Sequence, residues 1–241
     1  MILVRKLNYE NRLVMPDNQT GMNPSNKILF LIIAVLLIFF LVTSIAYAFL
    51  SSPQGTPIAE PVTATEDPVQ VMLPATEPII WSDEDYSWEM VPRATYHIAA
   101  RVIRRKRYTD WESKFIPWDL ALGWGQVSDP QMDEWMTWKQ SNRSLSATWI
   151  GPLPLPFPEE YIRDHAANVH IIPATDNLKL AFASLKDNDL VLLEGLLVDA
   201  EGGPEDEIKI FRTSLTRTDL APGGCELMYV ERLVVGGMEY R

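Results

Sequence analysis

A long run of apolar residues stands out near the start of the chain, from Ile28 to Leu50. It contains no charged residue, and its length of about 20 residues matches the roughly 30 Å hydrocarbon core of a bilayer. A single segment surrounded by lipid satisfies its own backbone hydrogen bonds only as a helix. The pattern therefore predicts a transmembrane helix over 28–50 that contacts the lipid bilayer.

The distribution of basic residues around this helix is uneven. Those that precede it are Arg5, Lys6, Arg12 and Lys27. After the helix no Lys or Arg occurs until Arg93. Because segments rich in Lys and Arg stay in the cytoplasm, we predict a cytoplasmic N-terminal segment over 1–27. The chain then crosses the inner (cytoplasmic) membrane once and places its C-terminal domain in the periplasm or outside the cell.

The end of the apolar run contains the sequence Ala46-Tyr47-Ala48, which resembles the cleavage site of a signal peptide. The run is long for a signal peptide, so we predict an uncleaved signal-anchor. Cleavage after Ala48 stays open as an alternative, and so does translation from Met15 or Met22 rather than Met1.

Residues 51–80 differ in composition from the apolar run before them. They contain six prolines, four acidic residues and no Lys or Arg. Such a composition favours extended, solvated chain. The sequence therefore predicts a linker over 51–80 that holds a folded domain away from the membrane.

Residues 81–241 alternate between apolar and polar positions in a way typical of strands. The predicted strands cover 96–102, 135–140, 145–150, 169–172, 190–200, 208–215 and 226–235. Short helices are predicted from Pro158 to Ala167 and from Asp176 to Leu185. These elements indicate an extracytoplasmic α+β domain built on a mostly antiparallel small β-barrel or bent sheet.

One predicted strand carries a glycine, Gly195, in its interior. An interior glycine is typical of a bulge or a sharp bend. The surrounding stretch 187–198 resembles a strand pair of OB-type barrels. This resemblance implies an OB-like fold, and with it an oligosaccharide as a ligand.

The charge and the cysteine content narrow the possible functions. The chain has a net charge of −11, which argues against a general nucleic-acid binder because phosphate contacts dominate that affinity. It has a single cysteine, which excludes an internal disulfide. All eight tryptophans lie between Trp81 and Trp149. We expect most of them to fill the core, and one or two to be exposed where they can stack on sugar rings.

Three polar-rich segments interrupt the otherwise apolar pattern of the domain. They are PWDLALGWG (117–125), NVHIIP (168–173), and SLTRTD (214–219) continuing to Cys225-Glu226. Together they resemble segments of a group of uncharacterised bacterial single-pass envelope proteins, which has no assigned activity. The resemblance spans most of residues 96–235 and implies a bacterial envelope setting.

The candidate catalytic residues are Cys225 and His170, with Asp119 or Asp219 as the group that orients the imidazole. A thiol nucleophile requires a base within hydrogen-bond reach and a third group that holds the base. Backbone N–H groups of Gly223-Gly224 are available to stabilise an oxyanion. The alternative is that a lone cysteine at the start of a strand is a small buried apolar residue.

The candidate ligand-binding residues are Arg217, Asp219, Trp124 and Arg143. Arg217 and Asp219 form a structural ion pair, or Arg217 binds an anionic ligand, since a guanidinium matches a carboxylate or a phosphate. Trp124 offers an aromatic face. Arg143 lies in the turn between two predicted strands.

From these features we predict a non-enzymatic, membrane-tethered binding module of the cell envelope. Its expected partner is another envelope protein or a cell-wall polymer. A thiol-dependent hydrolase or transferase and an OB-like oligosaccharide-binding domain remain as alternatives. The spacing of His165 and His170 matches no metal-ligand pattern, so neither a metal site nor another cofactor is predicted.

Overall fold

The computed structural model describes residues 23–154, 156–216 and 224–241. The chain divides into two compact units, one that ends at Leu50 and one that begins at Ser51. In the described part of the first unit, residues form a single helix, α1 (Pro24–Leu50), in which no side chain is buried. Its 27 residues extend over about 40 Å. The helix is therefore long and apolar enough to cross a membrane.

The second unit is an α+β domain dominated by a large, antiparallel-rich sheet, as the sequence predicted. In the part of this unit that the structure describes, the strands are β1 (Thr56–Pro57), β2 (Val69–Met72), β3 (Ile79–Ser82), β4 (Ser87–Arg107), β5 (Trp118–Gly123), β6 (Met136–Ser141), β7 (Ser144–Trp149), β8 (Ala166–Pro173), β9 (Leu190–Gly203), β10 (Lys209–Phe211), β11 (Glu226–Val235) and β12 (Met238–Tyr240). The helices are α2 (Met132–Trp135), α3 (Glu159–Asp164) and α4 (Asp176–Ser184), with 3-10 turns at Trp111–Lys114 and Gly125–Ser128. The predicted strand over 208–215 is shorter than expected and is confined to β10.

Five of the strands pair in a closed cycle. β4 pairs with β5, β5 with β8, β8 with β11, β11 with β9, and β9 with β4 again. Only the pairing of β8 with β11 is parallel within this cycle, and α4 lies between β8 and β9 in the chain. The arrangement brings residues that are distant in sequence onto neighbouring strands.

The main core is formed by alternate residues of the five paired strands together with one face of α4. Leu178, Ala181 and Phe182 of α4 are fully buried against this core, which agrees with their helical spacing. A second core cluster includes the stacked rings of Trp88 and Phe115, whose centroids lie 4.5 Å apart. Because successive residues of a strand point to opposite faces, the strand residues between the main-core positions are available for a polar site.

Gly195 lies where β9 is paired on both sides. It is opposite Tyr96 of β4 and Val230 of β11, and β11 bulges directly after Val230. A Cβ atom at this position would lie 2.0 Å from the backbone oxygen of Tyr229. The expected irregularity is present, and glycine is required because the neighbouring backbone approaches too closely for any side chain.

Residues 51–80 do not form the extended, solvated linker that their composition predicted. β1 pairs with β12, and β2 and β3 both pair with β4. Ala64 is buried, and Asp67 accepts a hydrogen bond from the indole N–H of Trp124 at 3.0 Å. The prediction was wrong because β4 is 21 residues long and leaves an edge on which proline-interrupted strands can pair.

The tryptophans are more buried than expected. Those that are buried are Trp88, Trp118, Trp124 and Trp138, and those that are half-buried are Trp81, Trp111, Trp135 and Trp149. All eight lie in the described part of the chain, and none of them is exposed. The expectation that one or two tryptophans are exposed and able to stack on sugar rings is therefore not met in this structure.

Candidate functional site

Asp119 and His170 form the centre of a buried polar cluster. Asp119 of β5 lies directly opposite His170 of β8 in the antiparallel register. The His170 Nδ1 atom is 2.7 Å from the Asp119 Oδ1 atom, and both side chains are buried. A carboxylate at this distance accepts a hydrogen bond from Nδ1–H and fixes the orientation of the imidazole, which leaves Nε2 for proton exchange.

Cys225 lies at the same cluster because β8 and β11 run parallel. Glu226, the first residue of β11, is opposite Val169 in that register, and Cys225 directly precedes it. The thiol is half-buried, its Sγ atom lies 3.6 Å from the Nδ2 atom of Asn168, and it contributes to the raised pKa of His170. The carbonyl of Cys225 accepts a hydrogen bond from the Ser214 backbone N–H at 3.0 Å, so the backbone of the cysteine is also held.

The environment of His170 changes the protonation of its imidazole. Burial by itself lowers the pKa of His170, but hydrogen bonds to Asp119 and Cys225 outweigh it and raise the pKa to about 9. The imidazole is therefore cationic at neutral pH. A cationic imidazole carries the proton that a general acid donates to a leaving group.

The second oxygen of Asp119 is held by two further donors. Tyr108 donates its hydroxyl proton to Oδ2 at 3.0 Å, and the Asn168 Nδ2 atom lies 3.3 Å from the same oxygen. Burial and the charge of Asp119 raise the pKa of Tyr108, which keeps its hydroxyl a donor. Because both carboxylate oxygens are engaged, Asp119 cannot rotate freely, and the imidazole it holds is fixed with it.

A strained hairpin tip closes the cluster on one side. β6 and β7 are joined by Asn142 and Arg143, whose φ angles are +50° and +56°. Two residues in this conformation form a tight hairpin turn in which the second position usually carries glycine, so Arg143 costs about 1 kcal/mol of backbone strain. The backbone oxygen of Arg143 lies 3.7 Å from the Cys225 Sγ atom.

The guanidinium of Arg143 connects this tip to an acidic group of side chains. It contacts Glu112 at 2.8 Å and Asp110 at 2.9 Å, and lies 4.3 Å above the ring of Tyr108. Its Nη1 atom is 3.9 Å from Asp119. These contacts offset the strain of the turn, and they explain how an exposed hairpin is held against the thiol.

The three polar-rich segments of the sequence converge at this cluster. The first supplies Asp119, the second supplies Asn168 and His170, and the third supplies Ser214 and Cys225. Comparison of the chain with protein-family models, with curated proteins and with solved structures found no match. The function of the domain is therefore inferred from the geometry of this site.

The other predicted site residues are distributed differently. Trp124 does not join the cluster: its side chain packs in the main core, on the face of the sheet opposite Asp119. Trp124 directly follows β5 and belongs to the same core cluster as Trp118 and Leu120, whereas Asp119 lies between these two residues in the strand and points to the other face. Arg143 does join the cluster. Arg217 and Asp219 lie outside the described residues.

Sequence reasoning missed two of the side chains that surround Asp119. Asn168 was recognisable, because it precedes His170 by two residues in a strand and so shares its face. Tyr108 was not, because it lies beyond the end of β4 and reaches Asp119 only through the pairing of β4 with β5.

Proposed function

We propose that this domain is a thiol-dependent acyl hydrolase or transferase with Cys225 as nucleophile and His170 as general acid and base. The observation that carries the proposal is the convergence of Asp119, His170 and Cys225 on one polar cluster, in which Asp119 holds the imidazole and Asn168 lies beside both the carboxylate and the thiol. A nucleophile, a base and a group that orients the base are the parts that this chemistry requires. The prediction of a non-enzymatic binding module does not account for this grouping.

The proposed reaction has two steps that share one acyl intermediate. The Cys225 sulfur bonds to the carbonyl carbon of an ester, thioester or amide, and the imidazolium of His170 donates its proton to the leaving group as that bond breaks. Water or a second nucleophile then attacks the thioester. His170 removes the proton of this nucleophile, and the Cys225 thiolate leaves. Asp119 positions the imidazole throughout and does not touch the substrate.

An OB-like barrel with an oligosaccharide ligand is the second candidate, and it is compatible with the first. The closed cycle of five strands, the parallel pair β8 and β11, and α4 between β8 and β9 support this interpretation. OB-folds bind ligands on their second and third strands and on the loops beside them, which here are β5 and β8 with Asp119 and His170. An experimental structure in which β9 and β11 are unpaired would remove this candidate.

The proposed setting is the outer face of a bacterial cytoplasmic membrane. The apolar α1, the basic residues that precede it and the resemblance to envelope proteins support an inside N-terminus. Alkaline phosphatase fused after Arg241, which folds actively only outside the cytoplasm, is expected to be active. A fusion that is inactive, while a cytoplasmic reporter at the same position is active, would contradict this topology.

The enzymatic proposal is tested with p-nitrophenyl acetate and the full chain in detergent micelles. Cys225 is the only cysteine, so a thiol-bound acetyl group found by peptide mass mapping is assigned without ambiguity. We expect Cys225 in the folded protein to be acetylated at least about 100-fold faster than in the urea-unfolded chain.

The matched control for this experiment is Cys225→Ser, in which any acetyl groups on other residues remain and the thiol-bound group is absent. Equal acetylation rates for the folded and the unfolded chain at the same pH would contradict the proposal. In that case the imidazole and the carboxylate contribute nothing to the reactivity of the thiol.

A further inference from the structure

Asn168 brings an amide N–H group close to the sulfur of Cys225. Its Nδ2 atom lies 3.6 Å from the Cys225 Sγ atom, and its side chain is buried. It precedes His170 by two residues in β8 and therefore points to the same face of the sheet. The enzymatic proposal described above gives this amide no role.

The orientation of the amide follows from its neighbours. Its nitrogen lies 3.3 Å from the Asp119 Oδ2 atom and 3.4 Å from the backbone oxygen of Arg143. Both of these oxygens accept hydrogen bonds, so only a donor fits between them. The Oδ1 atom of Asn168 in turn accepts a hydrogen bond from the Gln140 Nε2 atom at 2.9 Å. The amide has two N–H groups for three acceptors, so one N–H group is shared and lies within reach of the sulfur.

We infer that Asn168 is a catalytic residue that donates a hydrogen bond to the oxyanion formed during acyl transfer at Cys225; this inference rests on the proposed function. When the sulfur bonds to the carbonyl carbon, the π electrons of the carbonyl group move to its oxygen. They return when the bond to the leaving group breaks. A donor fixed beside the attacking sulfur stabilises that transient charge, and a buried donor does so more strongly than water.

Asn168 differs from the donors that the sequence suggested. The backbone N–H groups of Gly223-Gly224 were the expected oxyanion site, and Gly223 lies outside the described residues. A side-chain donor can be removed by mutation, whereas a backbone N–H group cannot be removed by a side-chain substitution. Asn168 therefore offers a direct test.

The test compares two reactions of Cys225 in the full chain in detergent micelles. Acetylation by p-nitrophenyl acetate passes through an oxyanion, whereas alkylation by iodoacetamide displaces iodide and forms none. We expect Asn168→Ala to slow acetylation by about 100-fold and to change alkylation by less than about 3-fold. Asn177→Ala, an asparagine that contacts Gln54 and the backbone of Arg241, is the matched control and should change neither rate.

A second variant keeps the test decisive if Asn168→Ala does not fold. Gln140→Leu leaves Asn168 in place but removes the hydrogen bond that orients its amide, and we expect acetylation to slow by about 10-fold with alkylation unchanged. Equal losses in both reactions would show that Asn168 only supports the fold, and no loss in acetylation would also overturn the inference. If the wild-type protein itself shows no accelerated acetylation, the proposed function fails and this inference fails with it.

Discussion

Replacing His170 with alanine is expected to slow acetylation of Cys225 by p-nitrophenyl acetate by about 100-fold or more. The imidazole is held by Asp119 and carries a positive charge at neutral pH. Its removal takes away both the charge and the proton donor for the leaving group. The measurement is the rate at which the acetylated Cys225 peptide accumulates, followed by mass spectrometry.

Two further variants separate chemistry from folding in this experiment. His170→Gln retains an N–H group for Asp119 but cannot exchange a proton, so it should be as slow as His170→Ala. His97→Ala is the matched control, because His97 is half-exposed and contacts Glu194 on another part of the sheet; it should react at the wild-type rate. A His170→Ala protein that folds and reacts within about 3-fold of wild type would contradict a role for the imidazole as general acid and base.

Asp119→Asn is expected to destabilise the domain by about 3 kcal/mol below pH 6.5, because it leaves a buried imidazolium without its partner. The pKa of His170 is raised in the folded state. The stability that this carboxylate contributes is therefore fully present below pH 6.5 and is lost as the pH rises through about 9. The difference in free energy of unfolding between wild type and Asp119→Asn should therefore become smaller from pH 6.5 to about 9. The stability difference that persists above pH 9 comes from the hydrogen bonds that Tyr108 and Asn168 donate to Asp119.

Urea unfolding followed by tryptophan fluorescence measures this difference in the full chain. All eight tryptophans lie in the second unit, so the signal reports on the domain and not on α1. Asp187→Asn is the matched control: Asp187 is half-exposed beside Arg104, and its loss should cost less than about 1 kcal/mol at every pH. An Asp119→Asn effect that stays constant from pH 6.5 to 9 would show that the carboxylate does not hold the imidazole in its cationic form.

Prediction from sequence succeeded where the signal was local. The apolar run predicted α1, the spacing of Leu178, Ala181 and Phe182 predicted α4, and the interior glycine predicted the irregularity at Gly195. Each of these depends on residues within a single helix or a single strand. The features that indicate these elements can be recognised from residues close together in the sequence.

Prediction failed where a segment derives its structure from a distant partner. Residues 51–80 have the composition of a solvated linker, yet β2 and β3 pair with β4. Trp124 was expected to bind a ligand with its aromatic face, yet it packs into the main core directly after β5. Composition does not indicate which strand edge is free to pair with a segment, because free edges exist only once the sheet has formed.

The sequence alone determined the apolar helix, the strand-rich character of the domain and the identities of the residues able to carry thiol chemistry. Only the tertiary structure decided that Asp119, His170 and Cys225 meet at one cluster, since they come from β5, from β8 and from the residue before β11. The physical reason is that alternation along a strand specifies only the face to which a side chain points. The neighbours of that side chain depend on the pairing and register of strands that are far apart in the chain.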